Sequence, residues 1–275
     1  MDFSEYILEA NNDGVVTSLT LSEDASQVAC GTSTGVPTIA CTCPTCLSDD
    51  PRDKRLRPSL LYQSDTTTIV FDTSSDFRTQ MLRYAVSSLD AIVFTHHHFD
   101  HIGGFDDIRP YNFFSGGKPM PLYLMKETLI ALQTTFPYAF GKVEQLGGGV
   151  PIVETTIINT TPFTIGDVTL IPIPMYHGAM RVNGYRIGNF AYCTDTNYIP
   201  DTSLQLLTDL DVLILDALRY EPHPTHFTID QAIDIVRILK PRKTYFTHIA
   251  HQVKHAECQL PYSIELGYDG LEITL

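Results

Sequence analysis

The segment Thr95-His96-His97-His98-Phe99-Asp100-His101 places four candidate metal ligands, His96, His98, Asp100 and His101, within six residues. Imidazole nitrogens and carboxylate oxygens are the donors that divalent zinc and manganese accept. The apolar run 91–94 just before them reads as a buried strand. The cluster therefore sits at a strand's C-terminal end, where open α/β sheets build their sites. His96 and His98, two residues apart in extended chain, face one side and can share an ion, which turns His97 the other way into a structural role. Asp100 and His101 fall in the turn beyond, where the chain can carry them to a second ion. A surface histidine cluster or a purification tag is the plain alternative, but a tag sits at a terminus and lacks an interleaved aspartate.

A dinuclear hydrolytic site needs about three protein ligands per ion, a bridging carboxylate and an open edge for water. His177, Asp195 and His248 each follow a strand-like stretch and complete such a set. His96, His98 and His177 would hold the first ion, Asp100, His101 and His248 the second, and Asp195 would bridge. Taken singly, each of the three distant residues suits a core or capping role; it is the cluster that reverses the reading. Asp72 ends another strand and could orient a ligating histidine, or simply open the turn 72–76.

Cys41, Cys43 and Cys46 offer three thiolates, one short of a closed tetrahedral zinc site. His251, three residues past His248, is the expected fourth ligand, with His255 as a weaker substitute and three free buried thiols as the alternative. Cys30, Cys193 and Cys258 lack such spacing and read as ordinary thiols. His223 and His226 lie in a loop ahead of a helix whose N-cap is expected at Thr228, and either could serve as a general acid near neutral pH.

Strands are expected at 15–21, 27–30, 60–63, 67–72, 91–94, 122–125, 168–174, 190–193, 211–216, 244–247 and 271–275. Helices are expected at 76–85, 126–134 and 229–239, a short segment at 105–109, and an exposed glycine-rich loop at 141–151. Strands with flanking helices on both sides of the midpoint predict two sheets packed face to face with helices outside. The 275 residues contain no linker, repeat or low-complexity tract, so one domain over 1–275 is expected, with 1–25 as an N-terminal extension and first strand.

The net charge of −14 and pI near 5.0 disfavour nucleic acid and anionic membranes as partners. The N-terminus shows no signal-peptide pattern and no apolar run is long enough for a membrane helix. Closely spaced thiols fit a reducing compartment, so a cytoplasmic location is expected.

Assembled, these residues resemble the metallo-β-lactamase superfamily and, within it, the PhnP-like group of cyclic phosphodiesterases. The likeness begins at about Gly31, with the turn to Pro37, Cys41-x-Cys43-x-x-Cys46 and Arg55-Leu56-Arg57-Pro58-Ser59. It continues through Thr95 to His101, Thr194-Asp195-Thr196, Thr247-His248-Ile249-Ala250-His251-Gln252 and Leu260-Pro261 leading to 267–273. It implies an α+β fold, a four-layer αββα sandwich, with two active-site divalent ions and a structural zinc on Cys41, Cys43, Cys46 and His251. It also places His226 at the position of the family's catalytic histidine. Cys30, Ser74 in place of a glycine, and the N-terminal extension depart from the pattern; the first two leave the ligands untouched.

The expected activity is hydrolysis of a small phosphodiester, notably a cyclic phosphate. Hydroxide activated between two zinc or manganese ions would attack phosphorus, with Asp100 and His226 acting directly in catalysis and His226 protonating the departing alkoxide. The alternatives are a tRNA 3′-end endonuclease, a glyoxalase-type thioesterase or lactonase, and a metal-binding scaffold without catalysis. Whether the protein forms a homodimer is left open.

Overall fold

The computed structural model describes residues 25–141 and 149–275. The strand expected at 15–21, the first 24 residues and most of the glycine-rich loop lie outside these. Two seven-stranded sheets carry the fold. The first runs in the order β14 (Leu271–Thr274), β1 (Ala25–Ala29), β2 (Ser59–Gln63), β3 (Thr68–Phe71), β4 (Ala91–Val93), β5 (Met120–Leu124), β6 (Val153–Ile157). The second runs β13 (Ile264–Leu266), β12 (Lys243–Thr247), β11 (Val212–Asp216), β10 (Phe190–Cys193), β9 (Met180–Ile187), β8 (Val168–His177), β7 (Phe163–Ile165).

Alternating side chains within the central strands decide the layering. Ile69 and Phe71 of β3 and Ala91 and Val93 of β4 point into a core shared with Leu170, Tyr185, Tyr192 and Ile214 of the facing sheet. Phe71 sits 5.4 Å from Tyr185 and 5.9 Å from Tyr192, ring centroid to centroid. Val70 and Ile92, one residue out of phase, face the opposite way into a core with Phe77 and Met81 of α1 (Phe77–Arg83), Phe105 and Leu132 of α4 (Lys126–Thr135). Between them lie the short α2 (Phe99–Ile102) and α3 (Arg109–Phe114). On the far side Leu213 and Leu215 pack with Ile229, Ala232 and Val236 of α6 (Ile229–Leu239), while α5 (Asp201–Leu204) is short. The result is the expected αββα sandwich.

Strand direction gathers the chemistry on one edge. Strands β3 to β6 run parallel, as do β10 to β13. Strand β8 is antiparallel to β9, which is antiparallel to β10, so β8 ends at the same edge as β10, β11 and β12. Helix α6 begins at Thr228, whose side chain accepts from the Gln231 N–H in a reciprocal capping box.

Candidate metal centre

Every candidate ligand leaves a strand end or the turn that follows it. His96 comes just after β4, His98 caps α2, and Asp100 and His101 lie in its single turn. His177 closes β8, while Asp195 and His248 follow β10 and β12 by two residues and one. Asp72, Asp195 and His248 adopt positive φ angles of 64°, 53° and 58°. Such left-handed conformations cost of order 1 kcal/mol or more in a residue with a side chain, and cluster where function demands a particular aim.

Three overlapping groups result, the smallest being Asp216, His226 and His248. One ligand atom each from His96, His98, His177 and Asp195 lies within 4.8 Å of the others, and the same holds for Asp100, His101, Asp195 and His248. Asp195 belongs to both of these. Its Oδ2 is 3.6 Å from His96 Nε2 and 3.2 Å from His101 Nε2, and its Oδ1 is 3.3 Å from His248 Nε2. Asp100 Oδ2 approaches His101 Nε2 at 3.4 Å and His248 Nε2 at 3.6 Å. The Nε2 atoms of His96, His101 and His248 are buried without a hydrogen-bond partner. Orphaned buried nitrogens are costly, and several converging on carboxylates are the donor set a divalent cation satisfies. His97 enters none of these groups.

The surroundings fix which ring nitrogen faces inward. Asp72 accepts from the Thr95 N–H at 2.8 Å and the Thr95 hydroxyl at 2.7 Å, and its Oδ2 is 2.7 Å from His101 Nδ1. His177 Nδ1 donates to the Thr225 carbonyl at 2.7 Å. Nδ1 is thereby used in both rings and Nε2 is left for the centre. Burial opposes charge on His101, but Asp195, Asp72 and Asp100 outweigh it and raise its pKa. At His96 burial, with His101 and His98 beside it, outweighs Asp195 and Asp100 and holds the ring well below the usual imidazole range.

Sequence reasoning gave Asp216 no role beyond closing the strand at 211–216. Asp216 ends β11 and its Oδ2 lies 2.6 Å from His226 Nδ1. The His226 ring stacks on His248 at 4.5 Å and meets His177 edge-on at 4.5 Å. His226, not His223, thus stands against the clusters. An acidic residue closing a buried parallel strand beside the other site strands was the available signal.

Cys41, Cys43, Cys46 and His251 form a separate group. His251 Nδ1 lies 3.2 Å from Cys41 Sγ and 3.4 Å from Cys43 Sγ. The Cys46 N–H donated to Cys43 lowers that thiol to about 6, whereas burial raises Cys46 to about 11. His255 is elsewhere, its backbone N–H bonded to Asp53.

The β-lactamase superfamily domain matches residues 67–249. The crystal structure of a new diphosphatase from the PhnP family is 43% identical, with a TM-score of 0.86 over 92% of this chain and 98% of that one. An octanoyltransferase of Porphyromonas gingivalis is 37% identical over 252 residues, 89% of this chain but 50% of that protein. The chain thus spans about half the length of that curated relative. Zinc-bound PqqB from Methylobacterium extorquens shares the fold at 16% identity, with a TM-score of 0.72 over 91% of this chain and all of that one. Fold and site together define a metal-binding hydrolase of the metallo-β-lactamase fold. The chain belongs to the β-lactamase superfamily and, within it, to the PhnP-like group.

Proposed function

We propose that the protein hydrolyses small phosphodiesters, cyclic phosphates among them, at a dinuclear centre. His96, His98 and His177 hold one divalent ion, zinc or manganese; Asp100, His101 and His248 hold the other; Asp195 bridges. Bound there, two ions would supply an activated water and neutralise charge developing on the phosphoryl oxygens. Cys41, Cys43, Cys46 and His251 hold a structural zinc that ties the 41–46 loop to the segment following His248. The observation that carries the reading is the sharing of Asp195 between two histidine-rich groups, each with ligand atoms within 4.8 Å.

His226 supplies the leaving-group proton. Burial lowers its pKa and raises that of Asp216, so both members of the pair favour their neutral forms. A neutral imidazole beside a protonated carboxyl retains a proton that can leave through Nε2 while Asp216 re-protonates Nδ1. An alkoxide leaving from a phosphodiester requires such a donor. Asp100 acts as a ligand at the reacting edge, its Oδ2 3.4 Å from His101 Nε2 and 3.6 Å from His248 Nε2.

A second reading, diphosphate hydrolysis, is favoured by the activity named for the 43%-identical PhnP-family structure. The phosphate leaving from a diphosphate depends less on protonation, so the two readings differ in their need for His226. The RNA-processing alternative has little support from a chain of net charge −14. The test is turnover by metal-defined protein of bis(p-nitrophenyl) phosphate, small cyclic phosphates and diphosphate esters beside a thioester, a lactone and pre-tRNA. Activity confined to the last three would overturn the proposal.

A further inference from the structure

The side-chain amide of Asn197 joins the two loops that carry His177 and His226. Its Oδ1 accepts from the Gly178 N–H at 2.7 Å and its Nδ2 donates to the Pro224 carbonyl at 3.1 Å. A backbone N–H can only donate and a proline carbonyl can only accept, so both ends of the amide are assigned by their partners. Asn197 stands two residues past Asp195, and its backbone is held in place. Its N–H donates to the Tyr176 carbonyl at 3.0 Å, and the Tyr176 N–H donates to the Tyr198 carbonyl at 2.9 Å. The side chain thus leaves the turn of the shared carboxylate from a fixed base. It reaches the turn after β8 on one side and the loop ahead of α6 on the other.

The segment 221–225 has few other anchors. Glu221, Pro222 and Pro224 are exposed, and the Glu221 and Pro222 carbonyls accept from Arg219 of the same loop. Among the described residues, two hydrogen bonds tie 221–225 to other parts of the chain: the Thr225 carbonyl to His177 Nδ1 and the Pro224 carbonyl to Asn197. Gly178, at a φ of 63°, lets the two turns touch, since a Cβ there would lie 2.9 Å from Thr225 Cγ2. His226 follows at once, its ring edge-on to His177 at 4.5 Å. Displacing a reacting group by about 1 Å can cost on the order of 100-fold in rate, so a loop with two ties makes each of them matter. We propose that Asn197 is a positioning residue, its amide clamping the loop of His226 to the turn of His177 and so fixing the proton donor against the metal centre. Its kinetic consequence rests on the phosphoester reading above.

The experiment compares the wild-type protein with Asn197→Asp, which keeps the acceptor for Gly178 but sets an oxygen against the Pro224 carbonyl, and with Asn197→Ala, which loses both bonds. Amide hydrogen exchange over 219–228, read by mass spectrometry, quickens about fivefold in Asn197→Asp, the equilibrium weight of one hydrogen bond. It quickens further in Asn197→Ala, while metal content stays at the wild-type value. Exchange at the wild-type rate in both variants overturns the clamp. In Asn197→Asp, kcat for a diester with an alkyl leaving group falls about tenfold or more, whereas bis(p-nitrophenyl) phosphate, whose leaving group needs little protonation, changes little. A merely structural role would lower both alike, so an equal loss, or none, overturns the positioning role. If no diester is turned over by the wild-type protein but exchange still quickens in the variants, the phosphoester reading falls and the clamp stands. If diesters are turned over with the same leaving-group dependence and the same exchange in all three proteins, the phosphoester reading stands and the clamp falls.

Discussion

His226 Nδ1 lies 2.6 Å from Asp216 Oδ2, and that same oxygen accepts from the Thr196 N–H at 2.7 Å. The Asp216 carboxyl group holds the ring by Nδ1, and the ring packs against His177 and His248.

His226→Ala should therefore lower kcat for a diester with an alkyl leaving group by about 10²–10⁴, and much less for p-nitrophenolate or phosphate departure. Metal content should stay at the wild-type value. Steady-state kinetics on a leaving-group series, with metal analysis of the same samples, checks this; a uniform loss across the series would remove His226 from proton transfer. Asp216→Asn should show the same trend with smaller amplitude.

Asp72 holds His101 by Nδ1 at 2.7 Å without belonging to either ligand group. Asp72→Asn should weaken divalent ion binding by about 10- to 100-fold, the usual cost of losing a partner behind a ligating histidine. Competition against a chromophoric chelator measures it, and wild-type affinity would show that the contact does not support the centre.

Asp269 staples the 30–31 and 55–57 segments, accepting from Cys30 N at 3.1 Å and Leu56 N at 2.7 Å. Burial nevertheless raises its carboxyl to about 6. The folded state thus favours the protonated form, so the stabilisation is complete below the unfolded pKa of about 3.9 and is lost as pH rises through about 6. Urea midpoints from pH 4 to 7 should fall more steeply with pH in wild type than in Asp269→Asn, which forfeits one acceptor but does not ionise. Parallel profiles would contradict the assignment.

The convergence of His96, His98, Asp100, His101, His177, Asp195 and His248 was legible in the chain because these residues stand at or just past strand ends, where a hydrophobic run stopping at His or Asp gives both element and aim. The helix expected at 229–239 and the cap at Thr228 matched residue for residue, since an amphipathic period and a capping box act locally. Strand β6 escaped notice because four of its five residues are exposed and show no alternation. Strand β9 was obscured by Asn183 and Gly184; a Cβ on Gly184 would lie 2.8 Å from the Tyr192 carbonyl oxygen, a packing demand invisible in sequence. Helix α3 contains Pro110 near its start and leaves Phe113 and Phe114 exposed, so no apolar face announced it. Asp216 was missed because its place beside His226 arises from what the loop after β11 brings back to the strand end.

The central claim is that distant imidazoles and carboxylates hold a pair of divalent ions beside a separate thiolate site. Elemental analysis of the purified, metal-loaded protein tests it most directly. About three divalent ions per chain are expected, falling to about two in Cys43→Ser. One ion or none in the wild-type protein would contradict the claim.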